Sequence, residues 1–276
     1  MKARERFRAH GPLKLRDADA GDTPLRSGDK HLSREDIKRA ERAQTDALTE
    51  RLAELQQMLF ATRKAKVLLV LQGMDTSGKD GTLRALFSRI NPMGLRGVQF
   101  KAPSLDELAH DYLWRVHRQV PAAGEIAIFN RSHYEDVLVP RVHGQIDGKE
   151  CKRRFAHIRD FERMLSETGT VVIKVFLHIS KDEQRERLQA RLDDPDKQWK
   201  FDPNDVAQRK LWDAYHSAYE EAIAATDADH APWYVIPADS KVHRNLLVAT
   251  LLLEIMESLK LSFPDPDPAL SKMTID

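Results

Sequence analysis

The chain has little cysteine, little net charge and no long apolar run. Cys151 is its single cysteine, so no disulfide can form within the chain, and we expect the reducing cytoplasm as its location. No segment approaches the roughly 20 apolar residues of a membrane-spanning helix. The opening stretch MKARERFRAH is charged and lacks the apolar segment of a secretory signal. We therefore expect no membrane partner.

Charge of either sign is not in excess. The sequence carries 44 lysines and arginines against 43 aspartates and glutamates, a net charge of +1. A chain balanced in this way has no general attraction for polyanions, so any phosphate binding must come from local clusters of cations. We accordingly expect no nucleic acid as a partner.

Composition predicts one large α/β domain between two irregular ends. The 276 residues are 41% hydrophobic and 32% charged, which is enough apolar material for a sizeable core. Residues 1–32 are charged and rich in glycine and proline, and they predict an extended arm. Residues 33–262 hold the domain, and the proline-rich residues 263–276 predict an irregular tail.

Short apolar runs alternate with segments of helical periodicity. The predicted strands are residues 67–71, 98–100, 125–129, 170–179 and 233–237. The predicted helices are a long one after Ser33, then 79–90, 105–120, 150–168, 180–192, one from Asp202–Pro203, and 245–259. This alternation predicts a three-layer α/β/α fold with a parallel sheet of about five strands, in which strand 67–71 lies near the centre.

A phosphate loop follows the first predicted strand. Gly73, Gly78 and Lys79 fall in the register of the motif G-x-x-x-x-G-K-[ST], between a strand and a helix. Glycines let backbone N–H groups converge on a phosphate, and the lysine reaches the terminal phosphates. The residue after Lys79 is Asp80 where the motif has serine or threonine, so a chance match in an ordinary strand–turn–helix is the alternative.

Two acids accompany this loop. A carboxylate repels a bound chain of phosphates unless a divalent cation lies between them. We predict that Asp75 holds Mg²⁺, with Mn²⁺ as the other candidate ion, in place of the missing hydroxyl group. Asp80 needs no direct role, because an acid in the first helical turn favours the helix N-terminus.

The segment after the third predicted strand, IFNRSHYEDVLVPRVHG (128–144), leaves the carboxyl edge of the sheet, where ligands bind. Arg131 is placed to reach a transferring phosphoryl group. Glu135 and Asp136 are candidates for a second metal ligand, and His133 is a candidate structural or substrate-contact residue. The alternative is a charged surface loop whose residues pair among themselves.

A basic segment at about 185–210 predicts a helical lid. Arg187 and Arg191 are four residues apart and share one helix face, as lid arginines would; a solvated face paired with acids such as Glu183 is the alternative. A chain of phosphates needs several cations and close backbone approach along its path. The candidates for this binding are Gly73, Gly78, Lys79, Arg131, Arg141, Lys149, Arg153, Arg187 and Arg191.

With these residues in view, the chain resembles the polyphosphate kinase 2 family. The motifs that carry the resemblance run in order through nearly the whole chain: LKLRDADAGDT (13–23), GMDTSGKDG (73–81), HDYLWRVH (110–117), FNRSHYEDVLVPRVHG (129–144) and DDPDKQWKF (193–201). The resemblance implies reversible transfer of the terminal phosphoryl group of inorganic polyphosphate to a nucleotide, with magnesium. It implies that Asp75 is a metal-binding acid, Lys79 a phosphate-contacting lysine and Arg131 a phosphate-clamping arginine, and that Arg187 and Arg191 are lid arginines. With Asp136 added as a candidate, the predicted catalytic group is Asp75, Lys79, Arg131 and Asp136.

Three positions bear on the acceptor. Members of this family specialised for nucleoside diphosphates typically carry arginine, glycine and aspartate where this chain has Met74, Asp80 and Asn130. The chain is therefore similar to the subgroup that phosphorylates both AMP and ADP to ADP and ATP, with guanine nucleotides as further candidate acceptors. The departure at Asn130 shifts the second metal role toward Glu135 or Asp136. We expect a homo-oligomer, a dimer or a tetramer.

Two other functions share parts of this pattern. An ATP-dependent nucleoside monophosphate kinase of the thymidylate type would have the same sheet, loop and lid, but Asp80 counts against it. A non-catalytic nucleotide-sensing module would bind nucleotide without turnover, and it would not need both the Arg131 segment and a basic lid. Phosphorylation of AMP by polyphosphate without ATP discriminates among the three.

Overall fold

A computed structural model describes residues 2–26, 32–270, 273 and 275. Within this part of the chain a single parallel sheet contains β1 (Lys66–Gln72), β2 (Leu95–Gln99), β3 (Ile126–Asn130), β4 (Thr170–His178) and β5 (Trp233–Pro237). The strand order is β2-β3-β1-β4-β5, so β1 is central. Leu69 of β1 is in register with Ile128 on one side and Ile173 on the other. The predicted parallel sheet with β1 at its centre is confirmed.

Helices cover both faces of the sheet. The described residues form α1 (Ala3–Arg6), α2 (Arg34–Thr62), α3 (Lys79–Phe87), α4 (Leu105–Leu108), α5 (Trp114–His117), α6 (Glu135–Val142), α7 (Gly148–Glu167), α8 (Lys181–Leu192), α9 (Pro203–Arg209), α10 (Trp212–Thr226) and α11 (Lys241–Ser258). Alternate residues of β1 point to opposite faces: Leu68 and Val70 pack with α6, α7 and α10, whereas Leu69 and Leu71 pack with α2, α3 and α11. The three-layer α/β/α fold is confirmed.

Side-chain caps fix where several helices begin. Ser33 accepts a hydrogen bond from the Asp36 N–H at the start of α2, and Ser180 accepts one from the Glu183 N–H at the start of α8. Asp202 caps α9, whose first residue is Pro203. These are the helix starts that the sequence predicts, and the last two begin the helices that form the predicted lid.

The helix predicted over 105–120 is wrong. The structure has the short helices α4 and α5 there, separated by a turn. The Asp111 carboxylate accepts hydrogen bonds from the N–H groups of Leu113 and Trp114 and so begins a new helix instead of continuing the first. The break directs Arg115 inward, where it is buried.

The N-terminal residues 2–26 lie against the domain. The Ala9 N–H donates to the Trp233 carbonyl (2.9 Å), and the Val235 N–H donates to the Phe7 carbonyl (2.8 Å). This segment therefore covers the free edge of β5. Residues 1, 27–31, 271, 272, 274 and 276 of the predicted arm and tail lie outside the described residues. In the part described, none of the helices has the length and apolar character needed to cross a membrane.

Candidate active site

The loop between β1 and α3 depends on two glycines. Gly73 and Gly78 have φ angles of 150° and 101°, which side chains rarely allow. A Cβ at position 73 would lie 2.7 Å from the Leu177 carbonyl oxygen, and one at position 78 would lie 1.8 Å from Arg244 Nη1. A larger residue at position 73 would clash with backbone, and one at position 78 would need a strained φ angle and would displace the Arg244 guanidinium group, so the motif spacing reflects real backbone constraints.

Lys79 is folded into this loop. Its Nζ donates to the carbonyl oxygens of Gly73 (2.7 Å) and Met74 (3.3 Å). Burial lowers the pKa of Lys79 to about 8; Arg131 adds to this effect, and the carboxylates of Asp75, Glu135 and Asp80 oppose it. The lysine is thus a buried cation held by backbone oxygens at the start of α3.

Arg131 lies between a carboxylate of the phosphate loop and a carboxylate at the start of α6. Because β3 lies beside β1, the residue that follows Asn130 reaches the phosphate loop. Arg131 Nη2 lies 2.6 Å from Asp75 Oδ1, and its Nη1 lies 3.6 Å from Glu135 Oε2. Burial alone would lower the pKa of Arg131, but the carboxylates of Glu135 and Asp75 outweigh it and raise the pKa. Burial raises the pKa of Glu135 against the attraction of Arg131 and Lys79.

Asp136 faces a different partner from Glu135. Its Oδ2 accepts a hydrogen bond from Arg115 Nη2 (3.1 Å), and Arg115 also donates to the Lys101 carbonyl (2.9 Å). Burial raises the pKa of Asp136, and Arg115 opposes the shift. The two neighbouring acids that the sequence could not separate therefore lie on different sides of the α6 N-terminus.

These carboxylates suit a metal ion that is shared with a substrate. No group of three or more histidine, cysteine or acidic ligands converges on one point in the described ranges. Asp75 and Glu135 both lie against Arg131. Mg²⁺ in phosphoryl-transfer sites takes one or two protein carboxylates and completes its shell with phosphate oxygens and water. The donor set is thus consistent with such a divalent ion.

A cleft of about 810 Å³ opens in front of the phosphate loop. Its lining includes residues from 73–75, from 100–115, from α6 and the turn that follows it, and from the lid segment 202–209. A volume of this size is typical of small-molecule and cofactor sites. Asp75, Arg131, Glu135 and Asp136 all line it.

The structure does not bring the other predicted cations to this cleft. Arg187 is buried behind the phosphate loop, where its Nη1 donates to the Thr76 carbonyl (2.9 Å). One helical turn further along α8, Arg191 Nη1 lies 3.6 Å from Asp205 Oδ2. Arg141 lies 3.9 Å from Glu221, Lys149 is exposed, and Arg153 pairs with Glu150.

The sequence did not predict several lining residues. Arg115 and Arg209 contribute guanidinium groups to the cleft, and Tyr112 and Tyr215 contribute rings. Arg154, which belongs to a second basic cluster of the sequence with Lys149, Lys152 and Arg153, lines the cleft as well. Arg115 and Tyr112 lie in the HDYLWRVH motif, which carried the resemblance without a role for any of its residues. That motif was the available signal, since isolated arginines in helices give none.

A buried polar network lies beneath α6. Glu162 accepts hydrogen bonds from Tyr134 Oη (2.9 Å) and Lys174 Nζ (2.6 Å), and its Oε1 lies 3.0 Å from His133 Nε2. All four side chains are fully buried. His133 therefore belongs to the support of the Arg131 segment and does not line the cleft.

Two of the three positions that mark the nucleotide subgroup touch each other. Asn130 Nδ2 donates to Asp80 Oδ1 (2.6 Å), which links the end of β3 to the first turn of α3. An amide at position 130 and a carboxylate at position 80 thus form one local pair.

Comparisons with known proteins agree with these motifs. The family model of polyphosphate kinase 2 matches residues 35–264. The AMP/ADP-polyphosphate phosphotransferase of Meiothermus ruber is 49% identical over 271 residues, 98% of each chain, and the ADP-polyphosphate phosphotransferase of Rhodopseudomonas palustris is 46% identical over 235 residues, 81% of each chain. The crystal structure of polyphosphate kinase 2 from Arthrobacter aurescens TC1 superposes with a TM-score of 0.92 at 43% identity, over 99% of this chain and 95% of that one. The chain therefore belongs to the polyphosphate kinase 2 family.

Proposed function

We propose that this protein transfers the terminal phosphoryl group of inorganic polyphosphate reversibly to AMP and to ADP, giving ADP and ATP. The observation that carries the proposal is the match to the Meiothermus ruber AMP/ADP-polyphosphate phosphotransferase, which extends over 98% of both chains. The Asp80–Asn130 pair supports the dual acceptor, because it occupies the positions where this chain departs from the diphosphate-specific pattern. Relatives of this kind do not favour an ATP-dependent monophosphate kinase.

Transfer between two phosphates requires positioning and charge neutralisation, and it needs no general base. The N–H groups of the loop and the α3 N-terminus would receive the phosphate, with Lys79 as the adjacent cation. Arg131 would neutralise the charge that spreads over the transferring group. The cleft residues in front of the loop would hold the acceptor nucleotide and exclude water.

The divalent ion is proposed to be Mg²⁺, with Mn²⁺ as the substitute, held by Asp75 and Glu135. Such an ion supplies neutralisation of phosphate charge when it is bound. Glu135 is favoured over Asp136 as the second ligand, because it shares Arg131 with Asp75 whereas Asp136 is held by Arg115. Asp136 then acts in catalysis through the orientation of Arg115 in the cleft.

Three further properties belong to the same proposal. The single cysteine supports a cytoplasmic location. Guanine nucleotides are candidate acceptors alongside AMP and ADP. We propose a dimeric or tetrameric homo-oligomer, which sedimentation of the purified protein would test.

One assay separates the candidate functions. The purified protein is incubated with AMP or ADP, long-chain polyphosphate and Mg²⁺ in the absence of ATP, and the nucleotide products are separated by chromatography. We expect ADP and ATP from AMP, ATP from ADP, and neither product with Lys79→Met. Turnover only with ATP as donor would indicate a monophosphate kinase, and nucleotide binding without turnover would indicate a sensing module.

A further inference from the structure

Three consecutive carbonyl groups of the phosphate loop are held by side chains from outside the loop. The Asp75 carbonyl accepts a hydrogen bond from Gln184 Nε2 (3.1 Å). The Thr76 carbonyl accepts one from Arg187 Nη1 (2.9 Å), and the Ser77 carbonyl accepts from Arg187 Nη1 (3.2 Å) and Arg244 Nη1 (3.0 Å). The donors belong to α8 and α11. A carbonyl group that is held in this way cannot turn its oxygen toward a phosphate bound at the loop.

Thr76 is strained in this arrangement. Its φ angle is 65°, in the left-handed region that a β-branched residue avoids. It is 8% exposed, and its hydroxyl group has no hydrogen-bond partner among the described residues. Such a conformation persists only where the surroundings fix it, and strained residues of this kind cluster at functional sites.

Arg187 is the residue that fixes the strained segment. Besides the loop carbonyls, its Nη2 donates to the carbonyls of Ala238 and Asp239, each at 2.7 Å, and its Nε donates to Glu183 Oε1 at 2.7 Å. The guanidinium group is thus anchored to the β5–α11 connection and to its own helix. With 7% of the residue exposed, it is committed to the protein and is not open to the cleft.

Arg244 reinforces Arg187 from α11. It is 2% exposed, and its guanidinium group donates to Ser77 and to the side-chain oxygen of Asn245. Among the described residues no carboxylate lies within ion-pair distance of it. A buried cation without a counter-charge is costly, and an anion in the adjoining loop would offset that cost.

We propose that Arg187 and Arg244 are positioning residues, which hold the phosphate loop in its phosphate-accepting shape, with Thr76 strained, before a ligand arrives. Without them Thr76 would relax to a negative φ angle, and a carbonyl group could turn toward the phosphate. The proposal rests on the loop being the phosphoryl site of the proposed function. It differs from the lid role predicted for Arg187, in which the guanidinium group would contact phosphate directly.

A double-mutant cycle tests this. Arg187→Met is made in the natural chain and in a Thr76→Gly background, where the left-handed conformation carries no strain. Binding of inorganic tripolyphosphate with Mg²⁺ is measured by calorimetry, and kcat and KM are measured with AMP and polyphosphate. Arg185→Met is the control, because Arg185 is exposed on the same helix and its ion-pair partner among the described residues is Asp182.

We expect Arg187→Met to weaken tripolyphosphate binding by about thirtyfold or more in the natural chain. In the Thr76→Gly background the loss caused by Arg187→Met should be smaller by a factor of about five or more. Arg185→Met should leave binding unchanged. Equal losses in both backgrounds would indicate direct phosphate contact and overturn the proposal, as would a loss below about threefold in the natural chain. If Arg187→Met does not fold, the cycle is run with Arg187→Lys, which keeps the charge but cannot bridge the loop carbonyls to those of the β5–α11 connection. We again expect Thr76→Gly to reduce the loss of binding. Additive effects of the two substitutions would overturn the proposal. Rescue of binding in a protein that does not phosphorylate AMP would support the positioning role and overturn the proposed function.

Discussion

Asp75 and Arg131 form an ion pair in front of the phosphate loop, with Oδ1 and Nη2 2.6 Å apart. They follow β1 and β3, which are neighbours in the sheet, so the parallel register itself brings them together. The two groups suit different parts of a metal–phosphate complex: the Asp75 carboxylate suits the divalent cation, and the Arg131 guanidinium suits the phosphoryl group. When the metal–phosphate complex binds, Asp75 would pair with the metal ion and Arg131 with the phosphoryl group, instead of with each other.

Asp75→Asn should therefore impair metal use first. The amide keeps the shape but loses the charge that attracts the ion, and we expect the Mg²⁺ concentration for half-maximal rate to rise at least about tenfold. Titration of the initial rate with Mg²⁺ at saturating AMP and polyphosphate measures this. Asp80→Asn is the matched control, with an expected change below about threefold. Equal midpoints for Asp75→Asn and the natural protein would assign the metal to Glu135 without Asp75.

Lys79 should titrate near pH 8 in the free protein, since burial lowers its pKa to about 8. It is charged below that pH and neutral above it, and a bound phosphate should shift the midpoint upward. Affinity for tripolyphosphate should accordingly fall as the pH rises through 8 to 10. ¹³C NMR of labelled lysine follows the titration, and Lys79→Arg identifies the signal by its loss. A midpoint at the ordinary value near pH 10.4 in the free protein would contradict the burial argument.

The part of the site that the sequence predicted depends on local pattern and on strand order. Gly73, Gly78 and Lys79 belong to one strand–loop–helix unit, so their geometry follows from spacing. Arg131 required one further step, the placement of β1 beside β3, and the parallel sheet supplied it. Both steps use rules that hold for any open α/β sheet.

Arg187 could not be placed in this way. Its spacing from Arg191 puts both residues on one side of α8, but helical spacing does not say which neighbour that side meets. In the structure Arg187 reaches the loop carbonyls, and Arg191 approaches Asp205. Arg115 was missed for a related reason: the turn at Asp111 that directs it inward was predicted to be helix.

Glu162→Gln should lower the free energy of unfolding by about 3 to 5 kcal/mol, because it leaves the buried Lys174 ammonium without its counter-charge. Chemical denaturation monitored by circular dichroism measures this. Glu167→Gln, which removes an exposed ion pair with Arg163 on the same helix, should cost less than about 1 kcal/mol. Equal effects of the two substitutions would refute the assigned importance of the network.

The Glu162 carboxylate also makes the stability of the protein depend on pH. Burial would raise the pKa of Glu162, but Lys174 and His133 outweigh it and the pKa is lowered. Its stabilisation is therefore present above the ordinary carboxyl pKa of about 4.3 and is lost as the pH falls through the lower value in the folded protein. In Glu162→Gln this part of the acid sensitivity should be missing.

Polyphosphate should be a better donor than ATP, and its use should depend more steeply on salt. With a net charge of only +1, attraction for a long polyanion must come from the local cations of the cleft, which include Arg115, Arg131, Arg154 and Arg209. Neutralising several phosphates releases several counterions, and that gain shrinks as ionic strength rises, whereas ATP engages only three phosphates. Initial rates of AMP phosphorylation are measured at rising potassium chloride with polyphosphate or ATP as donor, and the two salt dependences are compared.

Arg154→Gln should make the rate with polyphosphate less dependent on salt, while Arg163→Gln on the exposed side of the same helix should not. Faster turnover with ATP than with polyphosphate at low salt would reject the polyphosphate reaction and favour the monophosphate kinase.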